Sequence, residues 1–171
     1  RFRERFRVLT ENRSRFGSTV ERGRRTLEKD AALGLRCDYA LLEFGGNDCN
    51  FDWAQISRNP HAQHLPATPL DLFRRTYRAM LDLLRGFSVR PLLMTLPPID
   101  AERYLAFLAH KGNSKENILH WLGDVNMIYR YHETYSNAVA QIAVEERVPL
   151  VDVRAYFLDK RPFRDLICLD G

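Results

Sequence analysis

The stretch from Tyr39 to Asp48, Tyr-Ala-Leu-Leu-Glu-Phe-Gly-Gly-Asn-Asp, constrains the fold more than any other part of the chain. Tyr39 to Phe44 is a short, mostly apolar run closed by two glycines, which suits a buried parallel strand better than a helix. Gly45 and Gly46 let the backbone turn sharply and approach a ligand closely. Asn47 and Asp48 then stand at the carboxyl end of the strand, where open parallel sheets place their binding crevices. Taken by themselves the four residues fit an ordinary strand-to-loop turn equally well.

On either side, helical and strand patterns alternate. Phe6 to Thr10 alternates weakly, as a short strand would. Ser18 or Thr19 caps a helix from about Val20 to Leu33, which Gly34 ends. Residues 49–66 read as a long irregular loop, rich in aromatics at its start and functional by its length. Thr68, Pro69 and Asp71 open a helix whose apolar stripe is Leu70, Phe73, Tyr77, Met80, Leu81 and Leu84, ended by Gly86. Arg90 to Leu96 is a second strand, stopped by Pro97 and Pro98. Asp100 caps a helix through about Ala109, and Asn113 with Glu116 opens another that carries Ile118 to Leu122. Ile128, His132, Tyr135, Val139 and Ile142 mark a long amphipathic helix ending near Glu146, and Val148 to Val153 is the third strand. The alternation predicts one α/β domain over residues 1–171, with a parallel sheet and helices on both faces.

Charge is uneven. Nine of the arginines fall within Arg1 to Arg25 against Glu4, Glu11 and Glu21, so the net +4 belongs to the amino-terminal segment. That segment has no RNA-binding signature and little aromatic interleaving beyond Phe2, Phe6 and Phe16, so it reads as a solvated surface and not as a nucleic-acid site. No apolar run approaches the roughly 18 residues of a membrane span. Cys37, Cys49 and Cys168 are odd in number and lack metal-ligand spacing, which predicts free thiols in a reducing, cytoplasmic setting and no metal.

Three blocks in order, Asn12-x-Ser14-x-x-Gly17-x-Thr19, Gly45-Gly46-Asn47-Asp48 and the closing Asp170-Gly171, resemble the SGNH hydrolases, the GDSL-like lipases, esterases and acylhydrolases. The runs Glu43 to Trp53 and Leu96 to Tyr104 are similar to one bacterial branch of that family. The likeness spans the chain from about Asn12 onward. It implies a three-layer α/β/α, flavodoxin-like sheet. It also implies an ester hydrolase that works through a serine acyl-enzyme without a cofactor, on a small-molecule ester such as an acylated carbohydrate or small lipid. Residue by residue, Gly17 matches the oxyanion-hole glycine, Asn47 the oxyanion-hole asparagine and Asp170 the acid of the closing Asp-x-x-His. Such donors stabilise the charge that gathers on the carbonyl oxygen in the transition state. Asp48, Phe51 and Trp53 follow directly in the crevice loop and are the expected substrate contacts; packing of a long loop is the other reading of the two aromatics.

The chain departs from the family pattern at both ends. It contains no Gly-Asp-Ser, none of its serines stands in a nucleophile motif, and the histidine would fall two places beyond Gly171. Truncation at both ends accounts for these absences and predicts an inactive chain. It also predicts a sheet lacking its central first strand, with exposed edges, low stability and a tendency to aggregate. His132 lies on an apolar helix face and reads as core. His61 and His64 read as solvated loop residues, His110 and His120 stand near helix ends, and Cys49 reads as structural. A non-catalytic module that binds an ester or carbohydrate in the same crevice is the alternative. Oligomeric state is not legible.

Overall fold

The computed structural model describes Arg5 and residues 7–171. Its sheet is built from β1 (Tyr39–Leu42), β2 (Arg90–Met94) and β3 (Leu150–Val151), all parallel, in the order β1-β2-β3. Tyr39 pairs with Arg90 and Leu42 with Leu93, while Leu93 and Met94 pair with Leu150 and Val151. The helices are α1 (Val20–Ala32), α2 (Trp53–Arg58), α3 (Leu70–Gly86), α4 (Ala101–His110), α5 (Lys115–Leu122), α6 (Asn126–Glu145) and α7 (Val153–Leu158), followed by a 3₁₀ turn at Phe163–Leu166.

The main core lies between the sheet and two long helices. Phe73, Tyr77, Met80, Leu81 and Leu84 of α3 and Tyr135, Ala138, Val139 and Ile142 of α6 are all buried, and they cluster with Leu42 and Leu93. This is the helical stripe expected between Leu70 and Leu84, with Leu70 only partly covered. Helix α1 docks on α3, and its Val20 and Leu27 join the same core. At the surface, Arg78 pairs with Glu145 and Arg85 with Glu146 (2.9 Å), joining α3 to α6. A second, aromatic-rich cluster gathers Phe51, Trp53 and Ile56 against Leu105, Leu108, Ile118, Leu122 and Ile128 from α4, α5 and α6.

Among the described residues, helices cover one face of the sheet and not the two expected. Ala40, Leu42, Leu93 and Leu150 turn toward α3 and α6. On the opposite face Tyr39 and Leu41 are about half exposed (52% and 55%) and Val151 is 45% exposed. The reason is topological: two crossovers of the same hand, stepping the same way across a sheet, put both connecting helices on one side. Arg90 lays its guanidinium 4.1 Å from the Tyr39 ring centre, a polar cover for part of that open face. Among the described residues no further strand pairs with the outer edge of β1 or β3.

Several local expectations shift. No strand forms over residues 7–10, where Arg7 has a φ of 51° and no neighbouring strand offers pairing; Phe6, and Arg1 to Glu4, lie outside the described residues. The loop expected over residues 49–66 contains α2, because the Asp52 side chain takes the Gln55 N–H (2.9 Å) and starts a turn. Pro69, not Thr68, occupies the cap position of α3, and Ser114, not Asn113, caps α5 through the Asn117 N–H. Asp100 caps α4 as expected. The third strand is cut to two residues because Asp152 ends it by capping α7. Among the described residues no helix is long and apolar enough to cross a membrane.

Candidate functional site

A cavity of about 410 Å³ opens beyond the carboxyl end of β1. One wall comes from the entry to α1, with Gly17, Thr19 and Arg22. The other comes from the loop after β1, with Asn47, Asn50, Phe51 and Asp52, and from Leu65 and Ala67 further along. The cavity is a depression open to solvent on its outer side, with a volume in the range of small-molecule sites.

The two walls are tied together by Asp48. Its carboxylate accepts the Val20 N–H at 2.9 Å through one oxygen and 3.2 Å through the other, so a residue from the β1 loop satisfies the first turn of a helix 28 positions earlier in sequence. Thr19, at the cap position, makes no capping bond of its own. Asp48 also accepts through its carbonyl from the Thr68 N–H (3.0 Å), and the Thr68 carbonyl accepts from the Tyr135 hydroxyl (2.5 Å). One short run of bonds therefore joins α1, the β1 loop, the entry to α3, and α6.

The expected contact residues separate into two groups. Gly17, Asn47 and Phe51 line the cavity together. Asn47 is exposed, and its side chain makes no hydrogen bond with a described residue, which leaves its amide free to donate. Gly17 has a φ of 71° and open space around it. Asp48, in contrast, is fully buried, and its carboxylate is engaged by α1; it supports the wall without facing a ligand. Trp53 is also buried, behind the cavity, with ring neighbours Phe51, Tyr104 and Trp121. Asp170 is exposed and does not line the cavity. Gly171 packs against Tyr104, whose hydroxyl donates to Asn50 (3.0 Å), so the final residues lie one side chain removed from the cavity wall.

That placement has a visible cause. Arg164 pairs with Asp100 (2.8 Å) and Glu102 (2.6 Å), while Arg103 donates to the carbonyls of Arg164 and Ile167. The segment before Asp170 is thereby held on the start of α4.

Asn50 escaped the sequence reading. Its Oδ1 accepts from both the Trp53 indole (2.6 Å) and the Tyr104 hydroxyl, which orients the amide and leaves its NH₂ as a second side-chain donor in the cavity. Arg22, Thr19 and Asp52 were missed as well, for nothing in linear spacing brings the first turn of α1 beside the β1 loop.

The remaining candidates lie elsewhere. Burial pushes the Cys49 thiol up to about 12, with the Asp48 charge adding to the shift, and its Sγ donates to the Gly46 carbonyl; such a thiol is inert. His132 is buried in α6, and burial pushes it down to about 4, so it is a neutral core residue. His61 and His120 meet at 3.3 Å on the surface. Cys37 and Cys168 are free thiols, and among the described residues no group of three or more His, Cys, Asp or Glu could hold a metal ion.

Burial also raises the Asp48 carboxyl above its ordinary range, and the Val20 N–H pulls it back in part. With a folded-state pKa above the unfolded value of about 3.9, the folded chain binds the proton more tightly. This group's contribution to stability is therefore greatest in acid, and falls as pH rises through the unfolded value toward the folded one. Two substitutions separate its roles. Asp48→Ala removes the acceptor, leaves the Val20 N–H buried and unpaired, and is expected to lower unfolding stability by about 2 kcal/mol. Asp48→Asn keeps an acceptor of the same shape, stays within about 1 kcal/mol of the parent at pH 7, and flattens the dependence on pH above about 4. Urea titrations at several pH values measure both. An Asp48→Ala chain as stable as the parent would mean that the bond to α1 contributes nothing.

The chain matches no family model, and comparison with curated proteins returns no match.

Proposed function

We propose that the cavity is the carbonyl-binding half of a carboxylic ester hydrolase site of the SGNH type, in which the Gly17 N–H and the Asn47 amide receive the oxyanion. The observation that carries this reading is that Gly17 and Asn47, 30 positions apart in sequence, line one cavity at the carboxyl end of a parallel strand. The chemistry follows from their donors. Attack on an ester carbonyl moves negative charge onto oxygen, and donors aimed there stabilise the transition state beyond the substrate. Asn50 adds a third donor, suited to a hydroxyl or carbonyl elsewhere on the ligand. In this reading Asp170 orients the base, and the open face of the sheet belongs to a three-layer architecture.

Among the described residues that line the cavity, Thr19 carries the only hydroxyl, and none is a serine, cysteine or histidine. Turnover needs a nucleophile and a base, so residues 1–171 alone are expected to leave acetyl esters at the background rate. The same observation favours a second reading, a module that holds an ester or carbohydrate without cleaving it.

Expression from the complete reading frame distinguishes the two. A hydrolase is expected to release acetate from 4-nitrophenyl acetate and from acetylated glycosides, with burst kinetics where deacylation is slow. A full-length protein that binds such glycosides and releases no acetate establishes the second reading and removes the first.

A further inference from the structure

Two charged side chains line the cavity, Arg22 and Asp52, and they differ in what already engages them. Asp52 is exposed and gives one oxygen, Oδ1, to the Gln55 N–H at the start of α2, so its charge stays at the cavity. Arg22 is exposed as well, and no described residue engages its guanidinium. Its neighbour Arg24 pairs with Glu28, and Arg13 pairs with Glu11 (3.0 Å) and Asp30 (3.7 Å), but Arg22 makes no ion pair with any described carboxylate.

Arg22 stands in the first turn of α1, whose dipole is already met by Glu21 and by the Asp48 carboxylate on the Val20 N–H. Its guanidinium therefore remains available, and a group with negative charge in the cavity would meet a planar fork suited to bidentate contact with carboxylate or phosphate. The same group would lie beside the donors of Asn47 and Asn50, both of which line the same space.

We propose that Arg22 is the specificity-determining residue of this cavity, and that the ligand it selects carries an oxyanion group, a carboxylate or a phosphate, on the same small molecule as the acyl ester. The ester part of this statement rests on the function proposed above; the charge preference does not.

The test therefore has a binding arm and a turnover arm. In the binding arm, the ¹⁵N-labelled chain is titrated with methyl glucuronide, glucose 6-phosphate and methyl glucoside, read from the side-chain amide resonances of Asn47 and Asn50. At least one charged sugar is expected to bind about three- to tenfold more tightly than the neutral one, with the advantage shrinking as salt is raised. Whichever charged sugar binds better identifies the group. Arg22→Gln is expected to bring the ratio close to one, Arg22→Glu to invert it, and Arg22→Lys to keep part of it. Equal binding of charged and neutral sugars by the parent, a preference that survives Arg22→Gln, or no response at either amide overturns the proposal.

In the turnover arm, acetylated forms of the same sugars are offered to the protein from the complete reading frame. Hydrolysis without a charge preference overturns the role of Arg22 and leaves the esterase reading standing. A charge preference in binding without hydrolysis does the reverse.

Discussion

A chain carrying Gly45→Ala is expected to be about 2–4 kcal/mol less stable than the parent, while Gly46→Ala is expected to be between unchanged and about 1 kcal/mol more stable. The two glycines are adjacent, yet the structure asks different things of them. Gly45 has a φ of 135°, and a Cβ there would stand 2.9 Å from the Leu96 Cδ1 and 3.4 Å from the Tyr135 Cβ. The first contact is with the end of a buried side chain that must repack, and the second is with a Cβ fixed to the α6 backbone. Leu96 is buried with its N–H bonded to the Ser136 hydroxyl, and Tyr135 is held by its bond to the Thr68 carbonyl. Backbone strain and overpacking therefore add. At Gly46 the backbone is compatible with alanine and a Cβ meets nothing within 4 Å, so the main effect is a less flexible unfolded chain. Urea unfolding followed by tryptophan fluorescence would resolve the pair. Equal tolerance of alanine at both positions would show that the turn after β1 is not packed as described.

The second large effect separates function from stability. On the proposed esterase reading, Asn47→Ala is expected to reduce the ester hydrolysis rate of the protein from the complete reading frame about 10²- to 10³-fold. The same change is expected to alter unfolding stability by less than about 0.5 kcal/mol, because Asn47 is exposed and its amide bonds to no described residue. The loss belongs in kcat, since the interaction strengthens only as charge develops on the carbonyl oxygen. A rate reduction below about threefold would remove Asn47 from the reacting atoms. Its neighbour Asp48 provides the contrast, a residue whose truncation is expected to cost stability first.

Much of the fold was legible where one physical signal acts alone. The apolar stripe from Phe73 to Leu84 defines a helix because only helical spacing buries those residues together. The Asp100 cap and the stop at Pro97 were equally local. The signals failed where two determinants compete. At Thr68-Pro69 both residues suit a helix start, and the cap position falls to Pro69. At Val148 to Val153 the β-branched run argues for a long strand, but Asp152 caps α7 and cuts it to two residues. The number of covered faces was not legible either, for it depends on strand order, and a helix pattern does not reveal which side of a sheet it will reach.

The site divides in the same manner. Asn47 is placed by its own strand and turn, so its location at the end of β1 could be read directly from Tyr39 to Asp48. The commitment of Asp48 to Val20 depends on α1 docking across α3, a tertiary event with no trace in local pattern. Arg22 joins the cavity through that same docking, and Asn50 is oriented by tertiary bonds from Trp53 and Tyr104, which is why neither stood out beforehand.

The contact between Asp48 and Val20 has a further consequence. The cavity exists only while α1 is docked, so its completeness is an equilibrium property of the amino-terminal third of the chain, not a permanent attribute of the sheet. A molecule that bridges Gly17 and Asn47 would act as a clasp across that junction. By mass action it would raise the melting temperature and slow amide exchange at Val20, whether or not it is ever chemically transformed. Ligand discovery for this protein can therefore proceed through protection of one amide, with no need for a catalytic readout.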